Sequence, residues 1–249
     1  RYHLRRGRLL QLSRTRYGMR ERLRISAKHL GELALPDHCE RCFQIKLDLH
    51  YKLPYQVFPG IFSSIDSFSK KITDKHYECH GVIPPWLDVE GRPLRNPSVR
   101  DFQWHDLETD VLLTGVPDSI IRKPDETLAI IDYKTARYTD GQDHLLPLYH
   151  VQLNGYALIA EQSGGGRVTE LLLVYYEPDT EVTQANVQSL TLTDGFVMPY
   201  HAKSVRIELD RDMVREKMKK ARGLVDGSRG EHREGCPEGA RLSNLRRVL

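Results

Sequence analysis

The stretch GVPDSIIRKPDETLAIIDYKTAR, residues 115–137, decides how this chain is read. Two isoleucine-rich runs flank Pro124-Asp125-Glu126, the pattern of strand, turn and strand. An odd-length loop centred on Asp125 pairs residues equidistant from it, which sets Asp118 across from Asp132. Cross-strand Cβ atoms lie about 4.5–5.5 Å apart, close enough for two carboxylates to share one divalent cation. Lys134 is two residues beyond Asp132, and the strand period of two puts it on the same face. Two acids and an amine thus converge at the end of a hairpin. Alone the acids would repel and one would tend to stay protonated, a conflict that Mg²⁺ or Mn²⁺ removes.

Outward from the hairpin, the segment DVLLTGVPDSIIRK, 110–123, reads as one strand leading into the turn. Downstream, 145–162 is helical in character and stops at Gly164-Gly165-Gly166. Gln152 and Tyr156 stand there at i, i+4, on one face that a helix crossing back over the sheet could aim at the acids. VTELLLVYYEP, 168–178, is a further strand, followed by alternating segments near 187–192 and 204–209, and Asp210 caps a charged helix that runs to Val225. Upstream, Ser26 opens a short helix that Pro36 breaks, and a second short amphipathic stretch follows. After breaks at Pro54 and Pro59-Gly60, a helix spans 62–77 with Phe62, Ile65, Phe68 and Ile72 on one face. Residues 81–101, rich in Pro and Gly, read as loop. The expected fold is α/β, a central mixed β-sheet flanked by helices. It would occupy a single domain over 26–226, with a basic extension over 1–25 and a polar tail over 227–249.

Composition narrows the function classes. The chain has 249 residues, 39% hydrophobic and 29% charged, which excludes a disulfide-stapled miniprotein and a disordered chain. No apolar run reaches the roughly 18 to 20 residues of a membrane span, so the expectation is a cytoplasmic protein with no membrane partner. The net charge of +3 is uneven: residues 1–24 hold nine arginines against the single acid Glu21, and the rest is net acidic. The body therefore gives no global electrostatic case for nucleic-acid binding. The chain begins at Arg1 and Met19 is a plausible start, so residues 1–18 read as upstream sequence or a cloning remnant, as a phosphate-binding arm, or as an Arg-rich presequence.

The pieces G-V-P-D at 115–118, D-Y-K-T at 132–135 and Q-x-x-x-Y at 152–156, in this order, resemble the PD-(D/E)XK nuclease superfamily, specifically its RecB-like branch with the CRISPR-associated exonucleases. The resemblance covers roughly 26–210 and implies a restriction-endonuclease-like core and a Mg²⁺- or Mn²⁺-dependent deoxyribonuclease. Its setting would be DNA repair, recombination or phage- and CRISPR-related processing. Asp118, Asp132 and the Tyr133 carbonyl would hold the metal, Lys134 would orient the nucleophilic hydroxide and stabilise the phosphate charge, and Gln152 and Tyr156 would position the site and the strand. The family also implies a further metal-site residue on a helix before the hairpin. Asp66 is the acid best placed, with His76 and Glu78 as competitors, and no G-x-x-x-H is present. The implied partner is single- or double-stranded DNA. No Walker loop occurs, so any motor action would need a helicase or recombination partner. A catalytically inactive nuclease-fold protein that binds nucleic acid or a partner protein is the alternative, and a thiol–disulfide oxidoreductase built on Cys39 and Cys42 lacks the strand-then-helix setting.

Cys39 and Cys42 form a C-x-x-C with metal-ligand spacing, and Cys79 and Cys236 complete a set of four. Some RecB-like nucleases bind an iron–sulfur cluster through four cysteines, one early and three late in the chain. Here two are early, one is central and one late, which leaves open an iron–sulfur cluster, Zn²⁺, or free thiols packed at a helix end.

Overall fold

The computed structural model describes residues 22–53, 60–139 and 144–227, with 230, 231, 233, 234, 236, 239 and 242. The basic segment up to residue 21, Pro54 and Pro59 lie outside the described residues. In chain order the elements are β1 (Leu23–Ser26), α1 (Ala27–Gly31), α2 (Glu40–Asp48), α3 (Gly60–His80), β2 (Arg92–Leu94), β3 (Gln103–Asp106), β4 (Val111–Thr114), β5 (Ser119–Arg122), β6 (Leu128–Lys134), α4 (Leu146–Gln162), β7 (Val168–Pro178), α5 (Val187–Leu190), β8 (Thr191–Leu192), β9 (Gly195–Phe196), β10 (Tyr200–Ile207) and α6 (Arg211–Val225).

The hairpin β5–β6 has the register expected from the turn, with Ser119 opposite Ile131 and Arg122 opposite Leu128. Chain then crosses through α4 to β7, which runs parallel to β6, and β10 returns antiparallel to β7. The resulting five-stranded sheet has the order β10-β7-β6-β5-β2. It is mixed and flanked by helices, as predicted. A second, three-stranded sheet has the order β1-β4-β3, with β1 parallel to β4. Leu23–Ile25, assigned from sequence to the basic extension, thus belong to the folded body.

Side-chain alternation along β6 and β7 sorts the core into two layers. Leu128, Ile130, Leu171, Leu173 and Tyr175 face a cluster with Val151, Leu158, Val214 and Met218 of α4 and α6. Ala129, Ile131, Tyr133, Leu172, Val174 and Tyr176 face Ile83 and Leu87 on the other side. Period two puts Asp132 in the α4-facing set with Ile130. One buried side chain locks α4 to the following elements: Asn154 donates from Nδ2 to the Glu208 carbonyl at 2.9 Å and accepts from the Asp210 amide at 2.6 Å. Asp210 in turn caps α6 through the Met213 amide, as its position before the charged run predicts.

Several readings change. The segment 110–123 is two strands, β4 and β5, in different sheets, because Gly115-Val116-Pro117-Asp118 breaks it. Arg92–Leu94, read as loop, pairs with β5 as an edge strand, a position where Pro93 costs no ladder bond that a central strand would need. The segment near 187–192 is the short α5 followed by β8. The largest difference is in α3, which buries Ser69 and Thr73 while Phe62, Phe68 and Ile72 are exposed, so its polar side faces the sheet. Among the described residues no helix is long and apolar enough to cross a membrane.

Candidate active site

Asp118 precedes β5 at the open end of the hairpin. Its Oδ2 accepts from the Tyr133 amide at 2.7 Å, and the Asn96 side chain donates to its carbonyl at 2.7 Å. Asp132 is buried one residue earlier on β6, where its Oδ1 accepts from Gln152 Nε2 at 3.0 Å. Its Oδ2 pairs with the Lys134 ammonium. Burial, offset in part by Lys134 and reinforced by the Asp118 charge, pushes the Asp132 carboxyl up to about 6. A buried carboxylate next to a second carboxylate at one hairpin end supplies the oxygen donors that a hard divalent cation fits.

Gln152 sets the geometry of this corner. Its Nε2 also donates to the Tyr156 hydroxyl at 2.8 Å, which commits the amide nitrogen to the two oxygens and turns Oε1 toward Lys134 Nζ, at 3.5 Å. The Lys134 ammonium lies 4.5 Å from the centroid of the Tyr149 ring, one turn before Gln152 on α4. Tyr156 closes the corner against Gly115, where an added Cβ would come within 2.4 Å of its ring. The first residue of G-V-P-D therefore has to be small because the last residue of Q-x-x-x-Y packs on it.

The structure thus brings Asp118, Asp132, Tyr133, Lys134, Gln152 and Tyr156 together. Asp66 is linked to them through a residue that the sequence reading passed over. Lys70 Nζ lies 2.8 Å from Asp66 Oδ2 and 2.8 Å from Asp118 Oδ1. The signal for it was present, since Lys70 stands at i+4 from Asp66. The polar side of α3 is held on the sheet by Thr73, whose hydroxyl accepts from the Tyr133 phenol at 3.3 Å. His76 and Glu78 point elsewhere: His76 lies beside Val82, His80 and Trp86, and Glu78 pairs with Lys75.

A second constellation joins α2 to a late segment of the chain. The sulfur atoms of Cys39, Cys42 and Cys236 all lie within 4.8 Å of one another, with Cys42 and Cys236 at 3.4 Å. Burial pushes the Cys42 thiol up. At Cys39 burial acts the same way but is outweighed by the Arg233 and Cys42 amides and by the neighbouring thiols, so its thiol is lowered. Three convergent sulfurs suit a soft metal. Cys79, exposed near the end of α3, is not among them.

Comparison with known proteins gives a family match over residues 69–238, to the PD-(D/E)XK nuclease superfamily. No curated protein sequence matches the chain. Eight chains of solved structure do. One of them, described as "Crystal structure of SSO0001", is 14% identical, with a TM-score of 0.41, over 85% of this chain and 80% of that one.

Proposed function

From the premise that the chain belongs to the PD-(D/E)XK nuclease superfamily, we propose that it is a deoxyribonuclease, hydrolysing phosphodiester bonds with Mg²⁺ or Mn²⁺ at Asp118 and Asp132. What supports the reading is that these two carboxylates meet at one hairpin end, Asp132 paired there with the Lys134 ammonium and fixed by Gln152. Asp118, Asp132 and the Tyr133 carbonyl would hold the cation. Bound there, it would polarise the scissile phosphate and acidify a water. Lys134 orients the attacking oxygen and offsets the negative charge that grows on the phosphate oxygens. Gln152 keeps Asp132 aimed, and Tyr156 keeps Gln152 aimed. Single- or double-stranded DNA is the proposed partner, acted on in repair, recombination or phage- and CRISPR-related processing, with a helicase or recombination protein supplying any motor. The three-thiol site is proposed to carry Zn²⁺ or an iron–sulfur cluster, with a structural role.

The test is cleavage of single- and double-stranded DNA by the purified chain with Mg²⁺ or Mn²⁺, and silence with EDTA. If the wild type and Lys134→Ala were equally inert on DNA and RNA across several metals while binding both alike, catalysis would be abandoned in favour of a binding role.

A further inference from the structure

We propose that Lys70 is a positioning residue that couples the divalent cation to the nucleic-acid phosphate: it competes with the cation for Asp118 and, once displaced, contacts the phosphate. The inference rests on the metal-dependent reading of the cleft given above and adds a residue to it.

Each of the two central carboxylates has its own ammonium. Lys134 belongs to Asp132, and its side chain is only 17% exposed, boxed in by Tyr149 and Gln152. Lys70, on α3, belongs to Asp118, and its side chain is 35% exposed. A divalent cation that uses Asp118 and Asp132 would meet both positive charges. One of them must yield, and the two lysines are not equally free to do so. Lys134 shares β6 with its partner and is walled in by α4. Lys70 reaches Asp118 from α3 on a four-carbon stem, and a second anchor, Asp66, stays with it on its own helix. Release from Asp118 therefore costs Lys70 one ion pair but leaves the other, and keeps the ammonium at the rim.

The helix itself does not need to move. Thr73, one turn after Lys70, is tied to the Tyr133 phenol on the far face of β6, so α3 holds the root of the Lys70 side chain at a set distance from the cleft. An ammonium displaced from Asp118 and still held by Asp66 faces whatever anion is brought to the cation. A phosphate diester is such an anion, and its negative charge would replace the carboxylate charge that Lys70 gave up. Cation and phosphate then help each other bind, by the same factor in each direction.

Mn²⁺ binding by the purified full chain, followed by electron paramagnetic resonance, reads the first half. Lys70→Met should tighten Mn²⁺ by about tenfold, the effect of removing one positive charge a few ångströms from a dication. Lys70→Arg should stay near wild type, and Lys70→Gln serves as the neutral variant if the methionine fails to fold. Binding of a hydrolysis-resistant phosphorothioate oligonucleotide, by fluorescence anisotropy in EDTA and in Ca²⁺, reads the second half. The wild type should bind more tightly in Ca²⁺ than in EDTA, and the neutral variants should lose most of that gain. Unchanged or weaker Mn²⁺ binding in the neutral variants would overturn the competition, and a full Ca²⁺ gain in them would overturn the phosphate contact. Wild-type Mn²⁺ binding that is absent, or indifferent to Asp118→Asn and Asp132→Asn, would instead remove the metal-site reading itself and this inference with it.

Discussion

Lys134 and Asp132 stand on one face of β6 two residues apart, and their roles separate in what each does to binding and to rate. The ammonium acts on charge that grows only in the transition state, so Lys134→Ala should lower cleavage by at least about 10²-fold while DNA affinity changes little, measured by single-turnover kinetics beside anisotropy. Asp132 carries a stability consequence as well. Its carboxyl is pushed up to about 6, mainly by burial. An unfolded aspartate titrates near about 3.9, so between the two values the native state holds a proton that the unfolded chain has lost. This contribution favours folding at acidic pH and is lost as pH rises through about 6. In EDTA, Asp132→Asn should therefore unfold at a higher temperature than wild type above about pH 7, and the gap should vanish toward about pH 4, where both side chains are neutral. Melting curves by circular dichroism across that range check it, and a gap independent of pH would mean that Asp132 is ionised throughout.

At the scale of elements, the hairpin was legible because its turn is short and local. The Lys123 amide closes on the Thr127 carbonyl at 2.9 Å and Thr127 on the Asp125 carboxylate, so five residues set the register of both strands and with it the meeting of Asp118 and Asp132. The face of α3 was not legible, since apolar spacing alone assigns the side with Phe68 and Ile72 to the core. The side that packs is chosen instead by Thr73 meeting Tyr133 and Lys70 meeting Asp118, contacts between residues 60 and 48 positions apart in the chain. The break between β4 and β5 was hidden for a related reason: Gly115 looks like a turn glycine, and its constraint comes from Tyr156 on α4. Gly115→Ala should push that ring, loosen its hold on Gln152 and so misalign Asp132. The expected cost is about 1–3 kcal/mol of stability by urea unfolding, with weaker Mn²⁺ binding alongside. Loss of stability with Mn²⁺ affinity intact would show that Tyr156 packs without positioning.

For the whole molecule, the question is what holds the two ends of the fold together. The described residues of the segment read from sequence as a polar tail reach α2 and the turn before it: the Glu231 carbonyl accepts from the Arg41 amide at 3.3 Å, Arg233 reaches the Asp37 carbonyl at 2.5 Å, and Leu242 is buried with Ile45 and Leu53. The C-x-x-C announced a ligand pair in the sequence, but nothing local announced that Cys236 joins it, because that approach depends on the whole sheet being in place between them. A metal bound by Cys39, Cys42 and Cys236 would close a loop of nearly the entire domain, and by the entropy of closing so long a loop the clasp should contribute a few kcal/mol, about what a cross-link of that span supplies. Protein prepared anaerobically should then carry zinc or iron in fixed proportion to chain by elemental analysis. Cys236→Ser should lose the metal and melt at a lower temperature, and Cys79→Ser, remote from the three sulfurs, should change neither. Metal content that is nil in wild type would leave three thiols whose only contribution is packing, and Cys236→Ser would then cost no more than a small polar substitution at a half-buried site.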